Sequence, residues 1–356
     1  MRCRTCLYPD TKPDIYFDET GQCSACKSYE NRPNIDWDSR KKELLHLLDK
    51  HDGKCIVPSS GGKDSTWQVL TLLELGADVT IVTATTDHLS DIGKRNIQNL
   101  ARYANTIEVT PNQEIRRKIS RIGLRTVGDI SYGEHMAIWS TPFQMSDKLG
   151  IPLVFYGECP QNELGGPVGT DDNRIMDSNW IHEFGGFLGL RARDLVGQDG
   201  IKEKDIAPYL MPAETKTEAY FLGQFLPWDG YRNAVVARRH GFEWWHEEVE
   251  GSVGRYESLD NHQTGIHEWF KYLKYGYMRP TDICSIEIRR GRMTREEGLK
   301  VIKEREVYPL TYLGKSDEEI LGRIGVGLPE FQSICKSFHV SYENNSLYTE
   351  QLREVS

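Results

Sequence analysis

The sequence predicts an α/β fold: a doubly wound parallel sheet, preceded by a small four-cysteine module and followed by a mainly helical C-terminal region. Three observations carry this expectation. Apolar runs of strand length alternate with helix-length periodic segments between residues 35 and 156. A Gly-Gly loop joins the first of those strands to the next helix. Two Cys-x-x-Cys pairs stand within the first 26 residues.

The first segment, residues 1–34, is polar and rich in turn formers, with Pro9, Pro13, Gly21 and Pro33. It has too few apolar residues to fold on a core of its own, so it needs a staple. Cys3, Cys6, Cys23 and Cys26 supply one, as two pairs separated by 16 residues. Four thiolates close a tetrahedral zinc site and leave no open position, which makes the zinc structural and the module zinc-ribbon-like. Four thiolates also hold iron–sulfur clusters, and the spacing alone leaves that alternative open.

The second segment, residues 35–205, is the expected sheet domain. Asp36 to Lys50 reads as a helix with Leu44, Leu45, Leu47 and Leu48 on its apolar side. Lys54 to Pro58 reads as a buried strand, and Ser65 to Leu75 as a helix closed by Gly76. Asp78 to Ala84 is strand-like, Ile92 to Ala104 helical, and Thr106 to Val109 a third strand. Glu134 to Leu149 reads as a helix and Pro152 to Tyr156 as a fourth strand. Such alternation implies right-handed crossovers and helices on both faces of the sheet.

In the third segment, residues 206–356, strand signals fade and aromatic residues thicken, including Phe221, Phe225, Trp228, Trp244, Trp245, Trp269, Phe270 and Tyr277. Core packing explains them better than base stacking. Helix is expected to about Phe338, and a polar, frayed tail from Glu343.

The chain of 356 residues carries a net charge of -9, which argues against a nucleic-acid partner because phosphate contacts need clustered Lys and Arg. No apolar run approaches the ~20 residues that span a bilayer, so no membrane partner is expected. The N-terminus lacks the apolar core of a secretory signal, and a cytoplasmic location follows by default. The eight cysteines then read as thiols or metal ligands rather than disulfides.

The loop Ser60-Gly61-Gly62-Lys63-Asp64-Ser65 is the clearest chemical signal. Glycines bring backbone N–H groups close to an anion, and the following helix adds its positive end. Lys63 adds a full charge, and the hydroxyls of Ser60 and Ser65 can donate to phosphate oxygens. The order differs from the Walker loop, which ends in Gly-Lys-Ser/Thr. It resembles the pyrophosphate loop, or PP-loop, of the N-type ATP pyrophosphatases, which have a doubly wound (HUP-like) sheet and split ATP to AMP and pyrophosphate. That resemblance implies ATP at Ser60 to Ser65, with adenine and ribose near Thr83 and Thr85 at the end of the second strand.

The end of the fourth strand brings Glu158 to the edge where ligands gather in such sheets. Asp64 and Glu158 are therefore candidate magnesium ligands, and with Lys63 the candidate catalytic residues. Asn162 and Glu163 are candidates for holding a second substrate. Cys159 has no activating neighbour in the sequence and is not read as a nucleophile.

Taken together, the motifs resemble the N-acetyl sugar amidotransferases of lipopolysaccharide and flagellar sugar biosynthesis. The supporting residues are Cys3-Arg4-Thr5-Cys6, Phe17-Asp18 with Gly21-x-Cys23-x-x-Cys26, the loop, Tyr156-Gly157-Glu158, Phe225-Leu226-Pro227-Trp228-Asp229, and Lys274-Tyr275-Gly276-Tyr277 leading to Arg289-Arg290-Gly291-Arg292. The resemblance implies conversion of an N-acetyl group on a nucleotide-linked sugar to an acetamidino group. It implies ATP, Mg2+ and structural Zn2+ as cofactors. It also implies ammonia from a partner glutaminase resembling the glutaminase and cyclase subunits of histidine biosynthesis. Cys159 stands where that family suggests Asn. The rival is a tRNA thiolation enzyme, which shares the loop and often the cysteine pairs.

Overall fold

The computed structural model describes residues 1–166 and 176–339. The polar tail expected from Glu343 lies outside the described residues. Five parallel strands form the central sheet: β1 (Lys54–Pro58), β2 (Asp78–Ala84), β3 (Asn105–Val109), β4 (Leu153–Tyr156) and β5 (Glu218–Phe221). Their spatial order is β3-β2-β1-β4-β5. The chain runs outward from β1 to β3, then returns to build β4 and β5 on the other side of β1. The order therefore reverses between β1 and β4, and a crevice opens at the carboxyl ends of those two strands.

The helices before β4 are α1 (Ser24–Asn31), α2 (Trp37–Lys50), α3 (Lys63–Glu74), α4 (Asp91–Leu100), α5 (Gln113–Val127) and α6 (Tyr132–Leu149). After β4 come α7 (Pro160–Leu164), α8 (Ser178–Phe184), α9 (Glu203–Ile206), α10 (Gly230–Arg239) and α11 (Thr264–Tyr275). The last four are α12 (Arg279–Arg289), α13 (Arg295–Arg305), α14 (Asp317–Arg323) and α15 (Leu328–Phe338). None is long and apolar enough to cross a membrane.

Both faces of the sheet are buried, as parallel strands require. Cys55, Val57, Leu153 and Phe155 pack toward Leu44, Leu48, Val69 and Phe225. Their neighbours Ile56, Val154 and Tyr156 face Tyr132, Met136, Phe143 and Trp180 on the other side. This is the period-two alternation of a strand expressed in two separate cores. A third core, around Trp269, Phe270, Leu273, Ile320 and Phe331, belongs to the C-terminal helices. Trp269, Phe270 and Tyr272 of that stretch are core, as expected, whereas Tyr231 is exposed.

Two elements depart from the sequence expectation. Helix α5 was not foreseen; Asn112 caps it by accepting from the amides of Glu114 and Ile115, and Gly128 ends it in the left-handed region. Strand β5 lies in a stretch expected to be helical. Its four residues take strand form because they pair with Leu153 to Tyr156 of β4, a partner the local sequence does not display. Smaller shifts occur at two helix ends. Helix α3 starts at Lys63 rather than Ser65, with Gly62 as its extended N-cap. Helix α4 stops at Leu100, short of Ala104.

Candidate active site

The four cysteines of the N-terminal module converge. Their ligand atoms all lie within 4.8 Å of one another, and all four residues are buried. Cys6 and Cys23 sulfurs are 3.6 Å apart, Cys23 and Cys26 3.6 Å, and Cys3 and Cys26 3.9 Å. Sulfurs at about 2.3 Å from a tetrahedral zinc stand about 3.8 Å from one another, so the donor set fits that ion. The amides of Cys6 and Cys23 donate to the Cys3 sulfur at 3.5 and 3.3 Å. Four thiolates this close repel one another, and a cation at their centre would offset that repulsion.

The module is fastened to the rest of the chain. Arg295 donates to the Cys3 and Cys6 carbonyls at 3.2–3.3 Å. Leu7 packs with Cys284 and Ile302. A Cβ on Gly165 would meet Ala25 backbone at 2.4 Å, so α1 and the turn after α7 touch at a point only glycine allows.

The phosphate loop sits at the crevice between β1 and β4. Ser59 shapes it: its hydroxyl accepts from the Gly61 amide at 2.9 Å and donates to Ser65 Oγ at 2.8 Å. Gly61 has φ +77°, and a Cβ there would lie 2.7 Å from the Ile97 amide of α4. Both the dihedral and the close approach require glycine. No side chain caps α3, so the helix presents its first N–H groups to the crevice. Ser60 is exposed and lines the cavity. Ser65 also lines it, but its hydroxyl already donates to the Gly62 carbonyl at 3.1 Å.

Lys63 is only 7% exposed. Its ammonium contacts Asp64 and lies 3.1 Å from Glu257 Oε1. Burial disfavours its charge, but Asp64, Glu257 and Glu158 outweigh that and hold its pKa above the ordinary lysine value. Asn233 at the start of α10 donates to the other Asp64 oxygen at 2.9 Å. Glu158 has accessible surface because it faces the cavity, yet the cavity walls desolvate it. That burial, then the charge of Asp64, raises its pKa. Asp64 and Glu158 offer the kind of oxygen donors that magnesium takes.

Loop, Asp64 and Glu158 line one cavity of about 580 Å³. Its other wall comes from the C-terminal region: Tyr256 and Tyr277 of the aromatic run, and Glu257, Asp260, Lys271, Arg279, Asp282 and Glu287, which the sequence reading did not single out. Arg290, from the arginine run, lines it too. Glu257 and Asn233 could not be found locally, since neither sits in a motif and both reach Lys63 or Asp64 from far along the chain.

Other expected site residues move. Thr83 is buried and Thr85 bonds Thr110; neither lines the cavity, whereas Val82, Ala84 and Thr86 do. Neighbouring strand positions face opposite sides of the sheet, so Val82 and Ala84 share the cavity face and Thr83 does not. Asn162 does not line the cavity either; its carbonyl accepts from Arg32 at 3.1 Å. Glu163 borders the cavity, but Arg32 holds one of its oxygens and Arg290 the other at 2.7 Å. It is a buried brace between the cysteine module and α12 rather than a free acceptor for substrate. The Cys159 thiol is buried and donates to Gln161 Oε1 at 3.1 Å.

Residues 250–353 match the family described as LPS biosynthesis protein WbpG-like, C-terminal domain. The match agrees with the resemblance to proteins of lipopolysaccharide biosynthesis. It falls on the stretch that supplies Glu257, Lys271, Arg279 and Arg290, and so most of the wall facing the phosphate loop. No curated protein matches the chain.

Proposed function

We propose that the protein is an ATP-dependent amidotransferase that turns an N-acetyl group of a nucleotide-linked, UDP-type diacetamido sugar or uronic acid into an acetamidino group. The observation that carries this reading is a single cavity with the loop from Ser60 to Ser65 on one side and a sugar-biosynthesis domain on the other.

The chemistry accounts for both walls. An amide oxygen is a poor leaving group. Attack of that oxygen on the α-phosphorus of ATP expels pyrophosphate and leaves an adenylated imidate. Ammonia then adds to the imidate carbon, a proton leaves the nitrogen, and the C–O bond breaks to release AMP and the amidine. Lys63 and the open N–H groups of α3 are placed to hold the departing pyrophosphate. For that, Lys63 must exchange its contact with Glu257 for phosphate oxygens. Asp64 and Glu158 would hold magnesium, which supplies charge neutralisation at the phosphates.

Ammonia is mostly protonated at neutral pH, so a partner glutaminase of the histidine-biosynthesis type is the proposed source. The thiolation alternative draws no support from Cys159, whose buried thiol is bonded to Gln161 and lies off the cavity wall.

The test is incubation with ATP, ammonium and UDP-linked diacetamido sugars, read by mass spectrometry. Exchange of one sugar oxygen for NH, together with AMP, is expected. ADP as the product, or turnover only with tRNA and a sulfur donor, would sink the reading.

A further inference from the structure

The cavity does not end at the phosphate loop. Its lining also takes in Lys12, Lys271, Tyr277, Arg279 and Asp282. Of these, Lys12 alone comes from the cysteine module. The turn that carries it is fixed on two sides. Thr11 donates to the Tyr275 carbonyl at 2.5 Å, and Gly166 packs so closely on Asp14 that a Cβ would meet its carbonyl at 2.4 Å.

Lys271 contacts Asp282 and lies 3.2 Å from Glu268, while Arg279 lies 3.0 Å from Glu268. Asp282 and Glu268 are thus both engaged by Lys271 and Arg279. Lys12 has no ion-pair partner among the described residues. Its ammonium stands 5.2 Å above the Tyr8 ring and donates to the neighbouring Pro13 carbonyl at 3.3 Å. A half-buried ammonium on a cavity wall, without a carboxylate, is stabilised when an anion arrives. Burial lowers its pKa, opposed by Asp282, which agrees with a charge short of a partner.

We propose that Lys12 binds an anionic group of the second substrate, so that the cysteine module forms part of the substrate site as well as a structural staple. The proposal rests on the two-substrate reading above. The anion is a sugar carboxylate or a diphosphate, and both present the same oxygen acceptors to an ammonium.

Lys12→Met keeps the stem and removes the charge. In the full-length, zinc-loaded protein, loss of one charge-assisted hydrogen bond raises KM for a UDP-linked diacetamido uronic acid by about tenfold to a hundredfold. KM for ATP and zinc content stay unchanged, and Lys12→Arg restores most of the affinity. Should Lys12→Met lose its zinc, Lys12→Gln carries the same comparison. UDP alone and the neutral UDP-diacetamido hexose tell the sources apart. Weaker UDP inhibition assigns the diphosphate; an effect confined to the uronic acid assigns the carboxylate. Binding calorimetry with the same nucleotide sugars needs no turnover, so it still judges Lys12 if the amidination reading fails. Equal affinity in wild type and Lys12→Met would overturn the proposal.

Discussion

The two walls of the cavity are built in different ways. On the sheet side, backbone does the work: a loop, a helix start and strand ends present N–H groups from residues close together in sequence. On the opposite side, side chains do it. Glu257, Lys271, Arg279 and Arg290 come from the C-terminal region, and each is held by an ion pair, to Lys63, Asp282, Glu268 and Glu163 respectively. The contrast suggests a division of labour. In the proposed function the sheet wall would bind the phosphates of ATP, while the side-chain wall would supply the shape and charge that select its partner.

The sharpest way to break that division is to remove the staple. Structural zinc contributes on the order of 10–16 kcal/mol in small zinc peptides, so Cys6→Ser or Cys23→Ser should lose the metal and unfold the module. The module braces α12 and α13 through Leu7 and Arg295, so nucleotide-sugar binding should collapse while ATP still binds. Calorimetry with each ligand separates the two; loss of both together would mean that the walls are not independent. Next in size is Glu163→Gln, which leaves Arg32 and Arg290 with a neutral partner. Breaking a buried pair typically costs about 3–5 kcal/mol, read as a fall in denaturation midpoint without loss of zinc. On the sheet wall, Lys63→Ala should lower AMP formation by roughly a hundred- to a thousandfold, with the fold and zinc intact.

The smallest effect is a pH dependence. Burial, then the charge of Glu134, lifts Asp260 from 3.8 to about 6. A carboxyl raised in the folded state favours folding while protonated. That contribution is full below pH 3.8 and lost as pH rises through about 6. Asp260→Asn should therefore raise Tm at pH 8 and leave it unchanged near pH 3.5. A gain of equal size at both pH values would mean that charge is not the cause.

What the sequence disclosed follows the same contrast. The loop, the first four strands and the cysteine cluster are local patterns, and each was legible. Strand β5 was not, because its identity comes from β4. That Val82 and Ala84 rather than Thr83 line the cavity was not legible either, because a strand shows its period but not which parity faces a cavity. Glu163 looked like a free acid at a strand end, and only the fold reveals Arg32 and Arg290 closing on it. Glu257 and Lys12 carry no motif; their importance lies in where the packing sends them.

The central claim is that the amide oxygen itself attacks ATP. A nucleotide sugar labelled with oxygen-18 in its acetamido carbonyls tests this directly, with ATP and ammonium present. The account predicts AMP carrying the label and an amidine product lacking it at one position. Unlabelled AMP, or label retained in full by the sugar product, would contradict it.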